Sequence, residues 1–434
     1  MPFFLITTMT LFAVIAFVGT VLASQHQNLY SLRNLFMAVW LYYGFSVGID
    51  LMTGAEIPYT AGEVYLMDPS NWGSVAMVMC CYVMCGIAFM VTYAVMQGGD
   101  KIVPIELRYK LNTPPGWALI LIHAMAAWVY TEWFLGMDRM SRIAMSQLHV
   151  SYKFATLVVP LTLAMDIIVV LSAKERRAAL AVLLALTLSI LTGNRSYIMF
   201  FVLIIAFRWR PALYGWKLVG IVGGSAFMVF AFKTLYAVGF AWWQGARIDS
   251  GMVYDYLFLT LSGLDADASF GIAVFYTGQD SPWWLGKSYV QTPLLLAWPR
   301  FLGGIDVTTL AEDYVWKYQT RTAERGGAMA FSAIAEAWLN FSYLGPILLG
   351  TFWGAVANFF DRRPRGIAYF VVMLMIARLF RSDAASLIKN WVLVWGTMFV
   401  IAMTALTVYS AIVDEDRKKL LAVAPDLPGE LSET

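Results

Sequence analysis

The sequence predicts an all-α polytopic membrane protein with about eleven transmembrane helices and one large outer loop. Three observations carry that expectation. Of 434 residues, 60% are hydrophobic and only 13% charged, mean hydropathy is +0.66, and the apolar residues gather in stretches long enough to cross a bilayer. A soluble domain holds about half apolar and a quarter charged residues, so a water-soluble enzyme, a disordered chain and a disulfide scaffold are excluded.

Spans fall near residues 3–23, 34–53, 74–96, 116–136, 154–172, 178–192, 196–208, 217–237, 330–357, 366–380 and 390–412. The sixth and seventh are short and meet at Gly193-Asn194, so a re-entrant pair is the alternative there. The first lacks a basic leading region and is expected to be a retained span. Cys80, Cys81 and Cys85 all lie in the third span and read as small core residues. The organisation follows: 1–237 carries eight spans, 238–329 the large loop, 330–412 three further spans, and 413–434 a polar tail.

Orientation comes from the short loops, because lysine and arginine concentrate on the cytoplasmic side. One alternating set holds 16 of them, among them Arg33, Lys174 and Arg362, and the other holds 6. The richer set is therefore expected inside, which puts the N-terminus and the 238–329 loop outside. Net charge is +2, and nothing in the pattern points to nucleic acid.

Charges at membrane depth are expensive and mark function or structural pairing, and here they gather toward the outer end. Ser332, Glu336, Asn340 and Tyr343 share one face of the ninth span on helical spacing, so Glu336 either serves substrate chemistry or pairs with a neighbouring arginine. Arg378 and Arg381 are three residues apart and can converge on one anion; snorkelling or a bridge to Asp383 is the plainer alternative. Arg195 sits in a sharp outer turn opening a helix, a setting suited to phosphate or to an interfacial anchor. In the loop, Arg321 and Arg325 are one turn apart just before the ninth span. Tyr314, Trp316 and Tyr318 alternate, offering platforms for sugar rings or an interfacial belt. Three histidines with no metal-ligand spacing, and the lack of a Walker loop or G-x-G-x-x-G, leave no expected metal, nucleotide or other cofactor.

Three elements in order resemble the O-antigen polymerase (Wzy-type) family, also called oligosaccharide repeat unit polymerases. They are Leu191-Thr192-Gly193-Asn194-Arg195-Ser196, then Ala335-Glu336-Ala337-Trp338-Leu339-Asn340-Phe341 followed by Gly345 and Gly350, then Arg381-Ser382-Asp383. The large external loop between the first two fits as well. Ser342 stands where the family pattern has glycine, and Asn194 where a small residue is usual. The architecturally related O-antigen ligases are expected to carry a histidine in the outer loop, and residues 238–329 contain none, which favours polymerase over ligase.

The resemblance implies a GT-C-like, metal-independent glycosyltransferase of the bacterial inner membrane. It would move a growing glycan from undecaprenyl pyrophosphate to another lipid-linked repeat unit on the periplasmic face, with a polysaccharide co-polymerase regulating chain length. On that reading Glu336 takes the proton of the attacking hydroxyl, with Asp313 and Asp383 in reserve. Arg195, Arg378, Arg381 and Arg325 meet the pyrophosphate, while Arg321, Asn340, Tyr343 and Trp316 contribute to substrate binding. A ligase or a transporter of a lipid-linked glycan is the runner-up; charge biased to one end, rather than to the midplane, argues against transit.

Overall fold

The computed structural model describes residues 2–22, 31–53, 60–61, 64–66, 68–97, 111–134, 150–192, 264–278, 284–297, 309–318, 331–363 and 366–423, with isolated positions between 197 and 253. Helices dominate, joined by one two-residue antiparallel hairpin in which β1 (Thr60–Ala61) pairs with β2 (Val64–Tyr65). The helices are α1 (Pro2–Leu22), α2 (Leu32–Thr53), α3 (Trp72–Gln97), α4 (Gly116–Phe134), α5 (Val150–Ser172) and α6 (Glu175–Thr192). After them come α7 (Leu264–Thr277), α8 (Lys287–Ala297), α9 (Leu310–Tyr318), α10 (Ala333–Phe341), α11 (Leu344–Asp361) and α12 (Ile367–Arg378). A 3-10 turn, Leu379–Arg381, leads into α13 (Ala384–Leu387), a π-helical stretch Ile388–Trp395 and α14 (Gly396–Val423).

Among the described residues four stretches are long and apolar enough to cross a membrane: Pro2–Leu22, Leu32–Met52, Pro69–Met96 and Ala384–Asp416. The chain is thus a helical membrane protein. The expected spans at 196–208 and 217–237 lie outside the described residues.

The core is built from rings that α2 and α3 bring together. Phe36 stacks on Phe89 with centroids 3.7 Å apart, and Tyr82 packs against both Phe270 of α7 and Phe380 of the 3-10 turn. Trp40 donates its indole N–H to the Tyr82 carbonyl at 2.6 Å, so a buried polar edge is satisfied within the apolar core. Cys81 and Cys85 are buried in the same layer and Cys80 is half-buried, all three as free thiols.

Helix α11 runs alongside α3 at backbone contact distance. A Cβ at Gly350 would lie 2.1 Å from the Cys85 carbonyl oxygen, and one at Gly354 2.6 Å from that of Phe89. Only glycine admits this approach, which is how helices associate where no hydrophobic drive exists between them and lipid.

Within the stretch 238–329, expected as a large external loop, the described helix α7 packs into the core. Phe270, Ile272, Ala273 and Val274 of α7 are buried, and Ser269 donates to the carbonyls of Phe380 and Phe331. The expected single helix over 330–357 is also two helices. Helix α10 begins at an N-cap, Ser332, and ends at Ser342, whose φ of 51° and ψ of −134° turn the chain before α11 starts. That region is nearly closed to side-chain-bearing residues.

At the opposite end of α11, Asp361 is fully buried and collects four donors. The backbone N–H groups of Leu32 and Arg33 reach it at 3.0 and 3.4 Å, and the hydroxyls of Tyr93 and Tyr369 at 3.0 and 3.2 Å. This carboxylate caps α2 while tying α3 and α12 to α11. Asn358 adds a bond to the Tyr93 carbonyl, at 2.9 Å. A second buried acid, Asp166 of α5, lies 2.8 Å from the His123 ring of α4 and joins those two helices.

Candidate functional site

The candidate site forms where α8, α10 and the 381–384 turn meet. Helix α10 is buried along almost its whole length, and the four-residue spacing from Glu336 to Asn340 puts both side chains on the face toward α8. Glu336 is 2% exposed. One carboxylate oxygen accepts the Ser288 hydroxyl at 2.6 Å and the other accepts the Ala384 backbone N–H at 2.7 Å.

Asn340 completes the arrangement. Its amide nitrogen donates to the Ser288 hydroxyl oxygen at 2.7 Å and to the Glu336 backbone carbonyl at 2.8 Å, and its oxygen accepts the Ser288 N–H at 3.4 Å. Since an amide nitrogen only donates, the hydroxyl oxygen of Ser288 is an acceptor from Asn340 and its own proton is directed at Glu336. Upstream of α8, Leu285 (φ 48°) and Gly286 (φ 84°) form a tight turn. There the N–H groups of Trp284 and Leu285 bond the last carbonyls of α10, Leu339 and Asn340, at 3.1 and 2.9 Å. Ser288 is therefore fastened to α10 by backbone as well as side chain.

Asp383 sits beside this cluster as a double helix cap. One oxygen accepts the Ser386 N–H at 2.8 Å at the start of α13, and the other accepts the Ala311 N–H at 3.1 Å at the start of α9. Its placement explains the Arg381-Ser382-Asp383 run: the aspartate anchors α9 while the arginine closes the 3-10 turn. Arg381 and Arg378 are both half-buried, and the Arg378 guanidinium lies 5.8 Å from the Trp391 ring centre in the π-helical stretch. Lys287, exposed on the first turn of α8, adds a cation next to Ser288.

The expected site residues thus divide. Glu336, Asn340 and Asp383 come together, with Arg381 two residues before Asp383 in the same turn. Tyr343 lies past the break at Ser342 and is 58% exposed, so the polar face of α10 ends at Asn340. Asp313 forms a 2.7 Å surface ion pair with Lys317, whose ammonium the carboxylate's hydrogen bond holds above its usual range. Trp316 is 56% exposed on α9, whereas Tyr314 is buried against Phe275, Tyr276 and Phe331, so these residues do not form one row of platforms. Arg195, Arg321 and Arg325 lie outside the described residues. Ser288 and Lys287 went unnoticed in the sequence, where a serine 48 positions from its glutamate carries no signal. Among the described residues no group of three or more His, Cys, Asp or Glu is placed to share a metal ion.

A helical membrane protein with a buried glutamate, an asparagine and two arginines gathered at one end of its bundle has the chemical makings of a group-transfer site. Residues 304–411 match the family model described as O-antigen polysaccharide polymerase Wzy. The matched stretch is about a quarter of the chain, and over it the protein is similar to the Wzy-type O-antigen polymerases. Comparison with curated proteins and with solved structures finds no match.

Proposed function

We propose that this chain polymerises undecaprenyl-pyrophosphate-linked repeat units at the periplasmic face of the bacterial inner membrane, without a metal or other cofactor. The observation that carries the reading is coincidence: Glu336, Asn340, Arg378, Arg381 and Asp383 all fall inside the matched stretch 304–411 and gather at one end of the helices. The excess of lysine and arginine in the alternate short loops supports placing that end outside. The eleven-span, GT-C-like architecture, the 238–329 segment as a periplasmic unit, and a co-polymerase partner belong to the same proposal.

In this mechanism the acceptor hydroxyl loses its proton toward Glu336 as its oxygen attacks the anomeric carbon of the donor. The bond from that carbon to the pyrophosphate oxygen breaks, and the electron pair leaves with the pyrophosphate. Arg381 and Arg378, with Arg195 and Arg325, meet the charge that grows on the leaving group; preorganised cations of this kind supply much of the acceleration in such transfers. Asn340 orients the cluster, Asp383 holds the arginine turn in place, and Arg321, Tyr343, Asp313 and Trp316 are assigned to binding the sugars.

The test is polymer formation by the purified chain in nanodiscs with chelator present. Its substrate is lipid-linked repeat units extracted from cells of the same source that lack the polymerase. A ladder is expected, and E336Q, which keeps the shape of the side chain, is expected to slow its appearance by about 10²- to 10⁴-fold. R381A is expected to abolish visible ladder while leaving thermal unfolding near that of the parent. Near-normal ladders from folded E336Q would sink the assignment of Glu336, and ladders indifferent to both substitutions would sink the site.

A further inference from the structure

Glu336 is sealed. Of its two oxygens, one is held by the Ala384 backbone N–H, which cannot rotate away, and the other by Ser288. An acceptor hydroxyl that is to lose its proton to Glu336 must either displace Ser288 or pass the proton through it. Displacement is opposed by the way Ser288 is fixed, since the turn 284–286 is bonded to the final carbonyls of α10 and Asn340 grips both the Ser288 hydroxyl and its N–H. Passage is favoured by the same geometry. Leu285 and Lys287 are exposed on either side of Gly286, and Ser288, 7% exposed against 2% for Glu336, is the less deeply buried of the bonded pair and adjoins that surface turn in the chain. Its hydroxyl oxygen has two acceptor sites, of which Asn340 uses one.

We infer that Ser288 is a catalytic residue, the hydroxyl through which the acceptor's proton reaches Glu336. The inference rests on the reading of Glu336 as the final proton acceptor. As the acceptor oxygen bonds to the anomeric carbon, its proton moves to the Ser288 oxygen and the proton of Ser288 moves to Glu336. The carbon–pyrophosphate bond breaks with its electron pair on the pyrophosphate. Ser288 ends as it began, a neutral hydroxyl, and Glu336 holds one proton, which returns by the same route after product leaves. Asn340 is a positioning residue in this step, keeping the serine proton aimed at the carboxylate. Lys287, one residue before the relay on the exposed side, places a cation where the phosphate of an incoming lipid-linked chain can meet it.

The experiment measures initial rates of ladder formation by full-length protein in nanodiscs for S288A, S288T and E336Q, using the extracted lipid-linked repeat units as both donor and acceptor. Thermal unfolding is recorded for each variant. S288A is expected to lower kcat by about 10²-fold, the range of a lost proton-transfer group, with KM little changed, and S288T to restore most of the rate. A purely structural serine would not give that division between kcat and KM together with rescue by another hydroxyl. If S288A keeps or exceeds the parent rate while folded E336Q is inactive, the relay is overturned and the base stands. If E336Q also stays active, the reading of the site fails with it. Should S288A not fold, S288C and S288T decide: inactive but folded proteins from both, each retaining a side-chain proton, overturn the relay.

Discussion

The two ends of helices α10 and α11 each hold a buried carboxylate, and the two are partnered in opposite ways. Asp361 is met by four donors from three other helices, two of them backbone N–H groups and two phenols. Glu336 is met by two, of which one is a serine hydroxyl that has a second acceptor site to offer. Backbone strain divides the same way. Among the described residues the non-glycine positions with positive φ are Leu285 and Ser342, both at the Glu336 end. A fully satisfied, unstrained carboxylate is a fastener, whereas a sparsely satisfied one in strained surroundings is where chemistry is expected. On the proposed mechanism the Asp361 end stabilises the fold and the Glu336 end uses that stability.

The sharpest way to break this contrast is to remove Asp361. D361A strands two backbone donors and two hydroxyls in the interior, at a cost on the order of 3 kcal/mol. Thermal unfolding in detergent should drop accordingly, while turnover per folded molecule stays near the parent value. E336Q should do the reverse. If D361A instead lowered turnover in protein that remained folded, the two ends would not be separable.

The strut between the ends offers a smaller effect. Leucine at Gly350 would put its Cβ 2.1 Å from the Cys85 carbonyl oxygen, so α11 must move off α3. Overpacking of this kind costs roughly 1 to 3 kcal/mol. G350L is expected to lower the unfolding temperature and also to reduce turnover, because α11 connects to the Glu336 helix through the turn at Ser342. Loss of stability with full turnover would show that α10 is positioned from α8 and α13 alone.

Much of this arrangement was legible in the sequence, for reasons that differ from residue to residue. The four-residue spacing between Glu336 and Asn340 marks a shared helix face directly, and the apolar runs mark α1 to α3 because each fills a bilayer. The break at Ser342 was hidden because no proline or glycine stands there; only the resemblance to a family with glycine at that point hinted at an unusual backbone. Gly350 belonged to a quoted motif, but its purpose depends on the Cys85 carbonyl of a helix some 265 positions away, which no local pattern can reveal. Asp361 was overlooked because it precedes Arg362 and Arg363 and so reads as part of a charged cytoplasmic turn. The core segment Phe270 to Tyr276 was masked by averaging over a long stretch rich in charges. Pairings between distant segments, as in Ser288 with Glu336, have no periodicity to betray them.

The mildest substitution addresses the strain itself. Ser342 is buried and donates its N–H to the Trp338 carbonyl at 2.7 Å, closing α10 in a conformation that glycine adopts without penalty. S342G should therefore stabilise the protein by about 1 kcal/mol, read as a rise in unfolding temperature in detergent. It should also lower turnover slightly, because a freer hinge between α10 and α11 fixes Glu336 and Asn340 less firmly against Ser288. A variant that is both more stable and fully active would mean the strain at this end is incidental to the chemistry, and the contrast with Asp361 would then rest on hydrogen bonding alone. A variant that is less stable would mean that the Ser342 side chain itself contributes contacts worth more than the strain it imposes.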